Sequence, residues 1–571
     1  MKVSFKKALE VGLLLTLFAS VSSAQVSFPT IQTSGNRRFI EHTGKEKTLQ
    51  GQLLAARTEA QRLLKQVNHS PMSSVADNDW AFDLGANGPA SGFPTSFTAG
   101  VTPDCVKDYV AFTIHAQGTS TQANVVILNN LYVNSGSSGF CPGSAPKVVA
   151  AYTVGTSAAG NYLGSPWPSA DGSKILVLEM GLTGSGTPAK LHVITIGTGG
   201  GTVAAPITPP TETILSYTAG GGTCASGLSG APSLKDVAIW YASGNLYTGD
   251  DNGRIYKITN AFTAPAVAYC ISTGSDAVTD VNVDENVTGQ PAGTNYANIV
   301  TLGNTLKSYS ANSGATAFMS RWSTVVSSAN NGINDFILED GDLNFIYLMT
   351  NHDSTGTNAQ LQQYSYAGTL VGSVTVGPAS SQNLNMGAWD QNYQNNVNST
   401  ATFYYCAYPS GAAGLPNLSD VQFDASWHMN STPTMTGDTH IQPPLAVAGS
   451  TCGSLLGSYF EDKSTTPKSV IDIIIGVGDG LASDPNQVGR WRIQTSSADI
   501  SPITSNGTTY QQHVINNTGG ISAYTGDWSS SALGSNTYNF YFGTLAAQLA
   551  SRPVCAIGHY CFVKLQVVSL N

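Results

Sequence analysis

Carboxylates gather in four stretches of the sequence: Asp250 with Asp251; Asp276, Asp280, Asp284 and Glu285; Glu339, Asp340 and Asp342; and Asp479 with Asp484. Oxygen-rich turns of this kind can hold Ca2+, which takes about six to eight oxygen ligands. Asp250, Asp251 and Asn252 are the candidate ligands for such an ion. The competing role is structural, because Asp and Asn side chains cap turn backbone. None of the stretches matches the EF-hand loop with its closing glutamate. Paired acids could also cleave a glycosidic bond, but that needs two carboxyls about 5–9.5 Å apart, a distance that spacing along the chain does not supply.

Other chemistry finds fewer footholds. There is no G-x-S-x-G elbow to expose a serine and no H-E-x-x-H, and the nine histidines are scattered. His115, His192 and His352 lie beside strand-like runs and read as edge or core residues. The glycine runs at 197–201 and 220–222 lack the G-K-[ST] of a phosphate loop. Eight cysteines (Cys105, Cys141, Cys224, Cys270, Cys406, Cys452, Cys555 and Cys561) contain no C-x-x-C pair, which disfavours zinc. An even count in an exported chain implies disulfides. Proximity alone suggests Cys105 with Cys141, Cys224 with Cys270, Cys406 with Cys452, and Cys555 with Cys561.

Export is expected from residues 1–24. Lys2, Lys6 and Lys7 form a basic start, residues 11–19 an apolar run, and Val21-Ser22-Ser23-Ala24 a cleavage site that would leave Gln25 first. That run is about half of the roughly 20 residues a bilayer span requires, so no transmembrane anchor is expected. The destination is the periplasm or the extracellular space.

Charge divides unevenly along the remainder. Residues 25–70 hold 7 Lys or Arg against 3 Asp or Glu, and residues 71–571 hold 15 against 31. With 25 basic residues in all and no basic stripe in the body, nucleic acid is excluded as the main partner. In the basic segment Leu49, Leu53, Ala56, Ala60, Leu63, Leu64 and Val67 recur at steps of three and four, which predicts one helix over residues 45–67 within an N-terminal segment of 25–79.

From about residue 100 the pattern becomes short β-rich runs divided by Gly, Ser, Thr, Asn and Asp, such as VKDYVAFTI from Val106, SKILVLEM from Ser173, FIYLMT from Phe345 and CFVKLQVVSL from Cys561. Such runs mean an antiparallel all-β protein. The 24 Tyr, 19 Phe and 8 Trp give it apolar area to bury, against disorder. Two segments carry a resemblance. SPWPSADGSKILVLEM, 165–180, is similar to the S-P-D-G repeat of TolB-like propellers, with Asp171-Gly172 turning between two strands. NLYTGDDNGRIYKIT, 245–259, resembles the hairpin of quinoprotein-like blades, with Asp251-Asn252-Gly253 at its turn.

The resemblance implies a β-propeller over residues 80–571, with six to eight blades and seven preferred. Leu246, Ile255 and Ile258 would face neighbouring blades, the tryptophans would pack between blades, and the alternating Val563, Leu565 and Val567 would close the ring. With no catalytic motif in view, the sequence favours a non-catalytic binding or surface-interaction module for a glycan or protein. The alternatives are a secreted polysaccharide- or peptide-cleaving enzyme with acids dispersed over blades, and a structural cell-envelope protein.

Overall fold

The computed structural model describes, with short interruptions, residues 78–133, 140–216, 238–312, 318–379 and 384–431, and mainly the strands of 451–568, together with residues 39–40. The expected signal peptide and the helix over 45–67 lie outside the described residues. Among those described, the regular structure is β, in eight sheets.

Five sheets follow one another along the chain, each built mainly by antiparallel neighbours. The first is Ala90–Phe97, Tyr109–Ile114, Val125–Asn129 and Lys147–Tyr152. The second runs from Tyr162–Leu163 and Trp167–Pro168 through Lys174–Met180 and Lys190–Thr195 to Glu212–Ser216. The third is Ala238–Trp240, Asn245–Gly249, Arg254–Thr259 and Ala266–Ser272, and the fourth Val278–Glu285, Asn295–Thr301, Thr305–Ser310 and Met319–Val325. The fifth is Leu338–Asp340, Phe345–Thr350, Asn358–Ser365 and Leu370–Pro378, with Phe39–Ile40 paired in parallel to Leu338–Asp340 at its edge. A sixth sheet lies in 388–422 and a seventh in 451–515.

The eighth sheet joins the two ends of the body. Its order is Asn78–Gly85, Tyr560–Val568, Thr537–Gly543, Thr525–Asp527, with Phe82 opposite Phe562. A strand from before the first sheet thus completes a sheet made of the last strands, as ring closure demands.

Side-chain alternation explains how the sheets stack. Successive residues of a strand face opposite sides. Along Lys174–Met180, Leu176 and Leu178 pack with Leu246, Tyr256 and Ile258 of the third sheet. Ile175 and Val177 pack instead with Phe97, Tyr109 and Ile127 of the first. The third sheet repeats this, with Leu246 and Ile258 toward the second while Tyr247 and Ile255 meet Val281, Ile299 and Phe318 of the fourth. Both faces of the second and third sheets are therefore core, and exposure rises on an outer strand: Tyr109–Ile114 is buried throughout, whereas Met319–Val325 is largely exposed. Consecutive antiparallel meanders, packed face to face and closed by the chain ends, are the strand order of a β-propeller. Trp80, Trp167 and Trp389 are buried among the sheets.

Cys105 is bonded to Cys141 and Cys555 to Cys561. Cys270 is also in a disulfide, and the expected pairings of Cys224, Cys406 and Cys452 fall outside the described side chains. Among the described residues no helix is long and apolar enough to cross a membrane.

Candidate functional site

The acids singled out in the sequence take two roles, and the first is in turns. The Asp250 carboxylate accepts from the backbone N–H of Asn252 (2.8 Å) and Arg254 (2.9 Å) through Oδ1, and from the Tyr256 hydroxyl (2.8 Å) through Oδ2. Gly253 closes the turn at φ 71°. Asp353 does the same between Phe345–Thr350 and Asn358–Ser365, accepting from the N–H groups of Thr355 (2.9 Å) and Thr357 (3.0 Å), with Gly356 at φ 80°. Asp424 repeats it toward Ser426 and His428, with Trp427 at φ 64° in the glycine position. Asp171 caps the turn into Lys174–Met180, accepting from Ser169 Oγ (2.6 Å) and Ser173 N–H (3.0 Å). These carboxylates serve the chain's own donors. Asp251 lies outside the described residues, and among the described residues no group of His, Cys, Asp and Glu is arranged to hold a metal ion.

The second role is a cluster that sequence spacing does not show. Asp280, Asp284 and Glu285 on Val278–Glu285, and Glu339 and Asp340 on Leu338–Asp340 with Asp342 beyond it, belong to the first strands of two neighbouring sheets. All six are less than a tenth exposed. Glu339 Oε1 accepts from Asn298 Nδ2 at 2.6 Å, and its Oε2 from the Tyr366 hydroxyl at 3.4 Å. Glu285 Oε1 accepts from the Tyr247 hydroxyl at 2.6 Å and Asn245 Nδ2 at 2.8 Å. Asp280 Oδ2 accepts from Ile337 N–H at 2.8 Å, which ties the fourth sheet to the fifth. Asp340 Oδ1 takes the N–H groups of Asp342 and Leu343, both at 2.9 Å.

Burial pushes the Asp284 carboxyl up to about 8; the Tyr366 hydroxyl opposes this, while the charges of Asp342, Asp340 and Glu285 reinforce it. Burial also holds Glu339 well above the carboxylate range against its bond from Asn298, with Asp284 and Asp280 adding to the rise. Acids so perturbed can pass protons, and such shifts often mark functional sites. Here they face inward among packed strands. Asp276, from the same sequence stretch, is exposed, and Asp479 and Asp484 lie outside the described side chains. The tyrosines and Asn298 that complete the cluster were not singled out in the sequence, because Tyr247 and Asn298 sit on strands whose alternation reads as ordinary core and Tyr366 directly follows one.

His192 is buried between Glu212 (Nδ1 to Oε1, 2.6 Å) and Glu179 (Nε2 to Oε2, 3.2 Å). Burial disfavours its charge, but the hydrogen bonds and charges of the two glutamates prevail and raise its pKa. His115 is exposed and His352 half-buried.

The strongest outward feature surrounds a disulfide. Cys105 lies in the first connection of the first sheet and Cys141 in its third, and alternate connections of a meander share one end. Beside the bridge Val106 is 74% exposed and Phe140 45%. Both loops are held: Val106 N–H donates to Asp104 Oδ1 (2.9 Å), Asn129 Nδ2 to Val106 O (2.9 Å) and Asn130 N–H to Cys105 O (3.0 Å), while the Phe140 ring stands edge-on to Tyr132.

No protein-family model and no curated protein matches the chain. Among solved structures, Sqt1 of Saccharomyces cerevisiae is similar at 9% identity and TM-score 0.46, over 87% of this chain and 100% of that one. The Dos1 propeller is similar at 9% identity and TM-score 0.42, over 86% and 94%. BamB from Moraxella catarrhalis is similar at 11% identity and TM-score 0.36, over 87% and 99%. None of these likenesses assigns an activity.

Proposed function

We propose that the chain is a secreted, non-catalytic binding module that docks a protein on one end of its ring. The observation that carries this reading is the Cys105–Cys141 bridge, which ties two connections of the first sheet together beside the exposed Val106 and Phe140. Apolar side chains on preorganised loops bind at low entropic cost and suit an apolar partner better than a sugar. In this reading the eight sheets are eight blades, the disulfides belong to an oxidising compartment, and the buried acids take no part in ligand contact. A bound calcium ion, if one is held at Asp250–Asn252, would stiffen a turn and supply no chemistry.

The test probes the full mature chain and its Val106→Glu/Phe140→Glu variant against a displayed peptide library and a glycan array. Enrichment of apolar-anchored peptides by the parent alone is the expected result. Glycan binding equal in both would overturn the docking surface, and hydrolysis of any array member would overturn the binding reading itself.

A further inference from the structure

Glu212–Ser216 is the outer strand of the second sheet and pairs with Lys190–Thr195, the strand inside it. Its residues are half-buried or exposed, and on one face Leu215 packs at the margin of the cluster shared with the third sheet. The register sets Glu212 opposite Ile194 and Ile214 opposite His192, so strand alternation brings Glu212, Ile214 and His192 to the other face.

There His192 ties three strands together. Its ring is fully buried, with Nδ1 2.6 Å from Glu212 Oε1 and Nε2 3.2 Å from Oε2 of Glu179 on Lys174–Met180. Lys190 Nζ lies 3.9 Å from the same Glu179 oxygen. The first sheet packs on this face through an apolar cluster with Ile175, Val177 and Ile194, and the titratable side chains of that cluster are Tyr109 and Tyr152.

The proton count on the ring decides whether both bonds hold. An imidazolium donates from both nitrogens and places one positive charge between two carboxylates; a neutral imidazole keeps one N–H and turns a lone pair toward the other carboxylate. The Glu179 side chain is fully buried on a strand paired along both edges, whereas that of Glu212 is 19% exposed on the outer strand. The bond that gives way is therefore the one to Glu212, whose carboxylate reaches water by rotating outward.

We propose that His192 is a proton-controlled latch: protonated, it fastens Glu212–Ser216 to the sheet, and its deprotonation frees that strand and bares the backbone edge of Lys190–Thr195. Burial disfavours the imidazolium, but the hydrogen bonds and charges of the two glutamates prevail. The latch is thus closed below the ordinary histidine value and opens as pH rises through the raised one. The inference goes beyond the binding reading and does not depend on it.

The test follows backbone hydrogen exchange of the full mature chain by mass spectrometry between about pH 6 and about pH 9, corrected for intrinsic exchange. Protection over residues 190–195 and 212–216 should fall at least about tenfold relative to Arg254–Thr259 of the third sheet, because an outer strand opens without unfolding the molecule. In Glu212→Gln, whose side chain carries no charge, the fall should shrink by at least about half, since coupled groups are non-additive. Ile214→Ala, on the same face of the same strand but outside the triad, should keep the parent's pH dependence. The His192 ring, titrated by NMR in the parent, gives a readout that needs no variant: its midpoint should coincide with the loss of protection. Protection that is constant with pH, that falls equally in Glu212→Gln or in the third sheet, or that moves away from the ring's midpoint would overturn the latch.

Discussion

A carboxyl that is neutral in the folded chain and ionised in the unfolded one makes stability fall as pH rises. Asp284 is such a group, lifted from 3.8 to about 8. Between those values the unfolded chain has released a proton that the folded chain retains, so stability drops by about 1.4 kcal/mol per pH unit. Glu339 acts with the same sign. So does His192, whose raised pKa gives a contribution that is complete below the ordinary histidine value and lost as pH rises through the folded one. Asp353 acts oppositely: burial disfavours its charge, but bonds from Thr355, Thr357 and Asn358 hold it below the usual range. Its contribution is present above the ordinary value and lost as pH falls through the lowered one. Asp284→Asn should therefore flatten the dependence of Tm on pH between about 4 and 8; an unchanged slope in matched buffers would mean that Asp284 is ionised in the fold. The members of this cluster were legible as two acidic stretches in the sequence. Their meeting was not, because more than 50 residues separate Asp284 from Glu339 and only the stacking of two sheets joins them.

The turn built on Asp250 and again on Asp353 is the element that recurs most plainly, and its glycine differs in consequence between the two copies. A Cβ on Gly253 would lie 2.5 Å from the backbone oxygen of Gly274, which cannot easily yield. A Cβ on Gly356 would lie 2.9 Å from Ser328 Oγ, the end of a side chain that can rotate. Both positions carry the left-handed φ, which costs a non-glycine residue about 1–3 kcal/mol. Gly253→Ala should accordingly lose more stability in urea melts than Gly356→Ala; equal losses would mean that the Gly274 contact is accommodated for free. Trp427 shows that another residue holds this conformation when its ring is fixed, here against Tyr393 at 5.2 Å between centroids. The Asp-x-x-Gly hairpin was legible at 250–253, since Asn-Gly supplies the required φ. The strand Phe39–Ile40 was not, because two residues leave no period to read and their pairing comes from the fifth sheet, about 300 residues away.

At the scale of the molecule, stability rests on stacking neighbouring sheets face to face and on fastening the ends. The alternation of Leu176 and Leu178 against Ile175 and Val177 was visible in the sequence as an apolar run, which marks a strand covered on both sides without saying by what. The Cys105–Cys141 bridge closes a separation of 36 residues and Cys555–Cys561 one of 6. In the chain-entropy account these are worth about 4 and about 2 kcal/mol, so Cys105→Ala/Cys141→Ala should cost more in a denaturant melt than Cys555→Ala/Cys561→Ala. Equal losses would place the benefit in local packing rather than in loop length. The closing sheet makes the sharper demand. Phe562 is fully buried, sits opposite Phe82 and stacks on Phe112 of the first sheet at 3.9 Å between centroids. It therefore joins the last strand both to the strand before the first sheet and to that sheet's core. Truncating a buried phenylalanine costs about 3–5 kcal/mol where the surroundings cannot collapse into the space. Ile214, half-exposed on an outer strand, should cost within about 0.5 kcal/mol when replaced by alanine. If the ring melts as a unit, Phe562→Ala should lower one shared transition seen by both tryptophan fluorescence and far-UV circular dichroism, while Ile214→Ala leaves it in place. Two separated transitions in Phe562→Ala would instead mean that the closing sheet unfolds apart from the rest, and that closure is not what holds the sheets together.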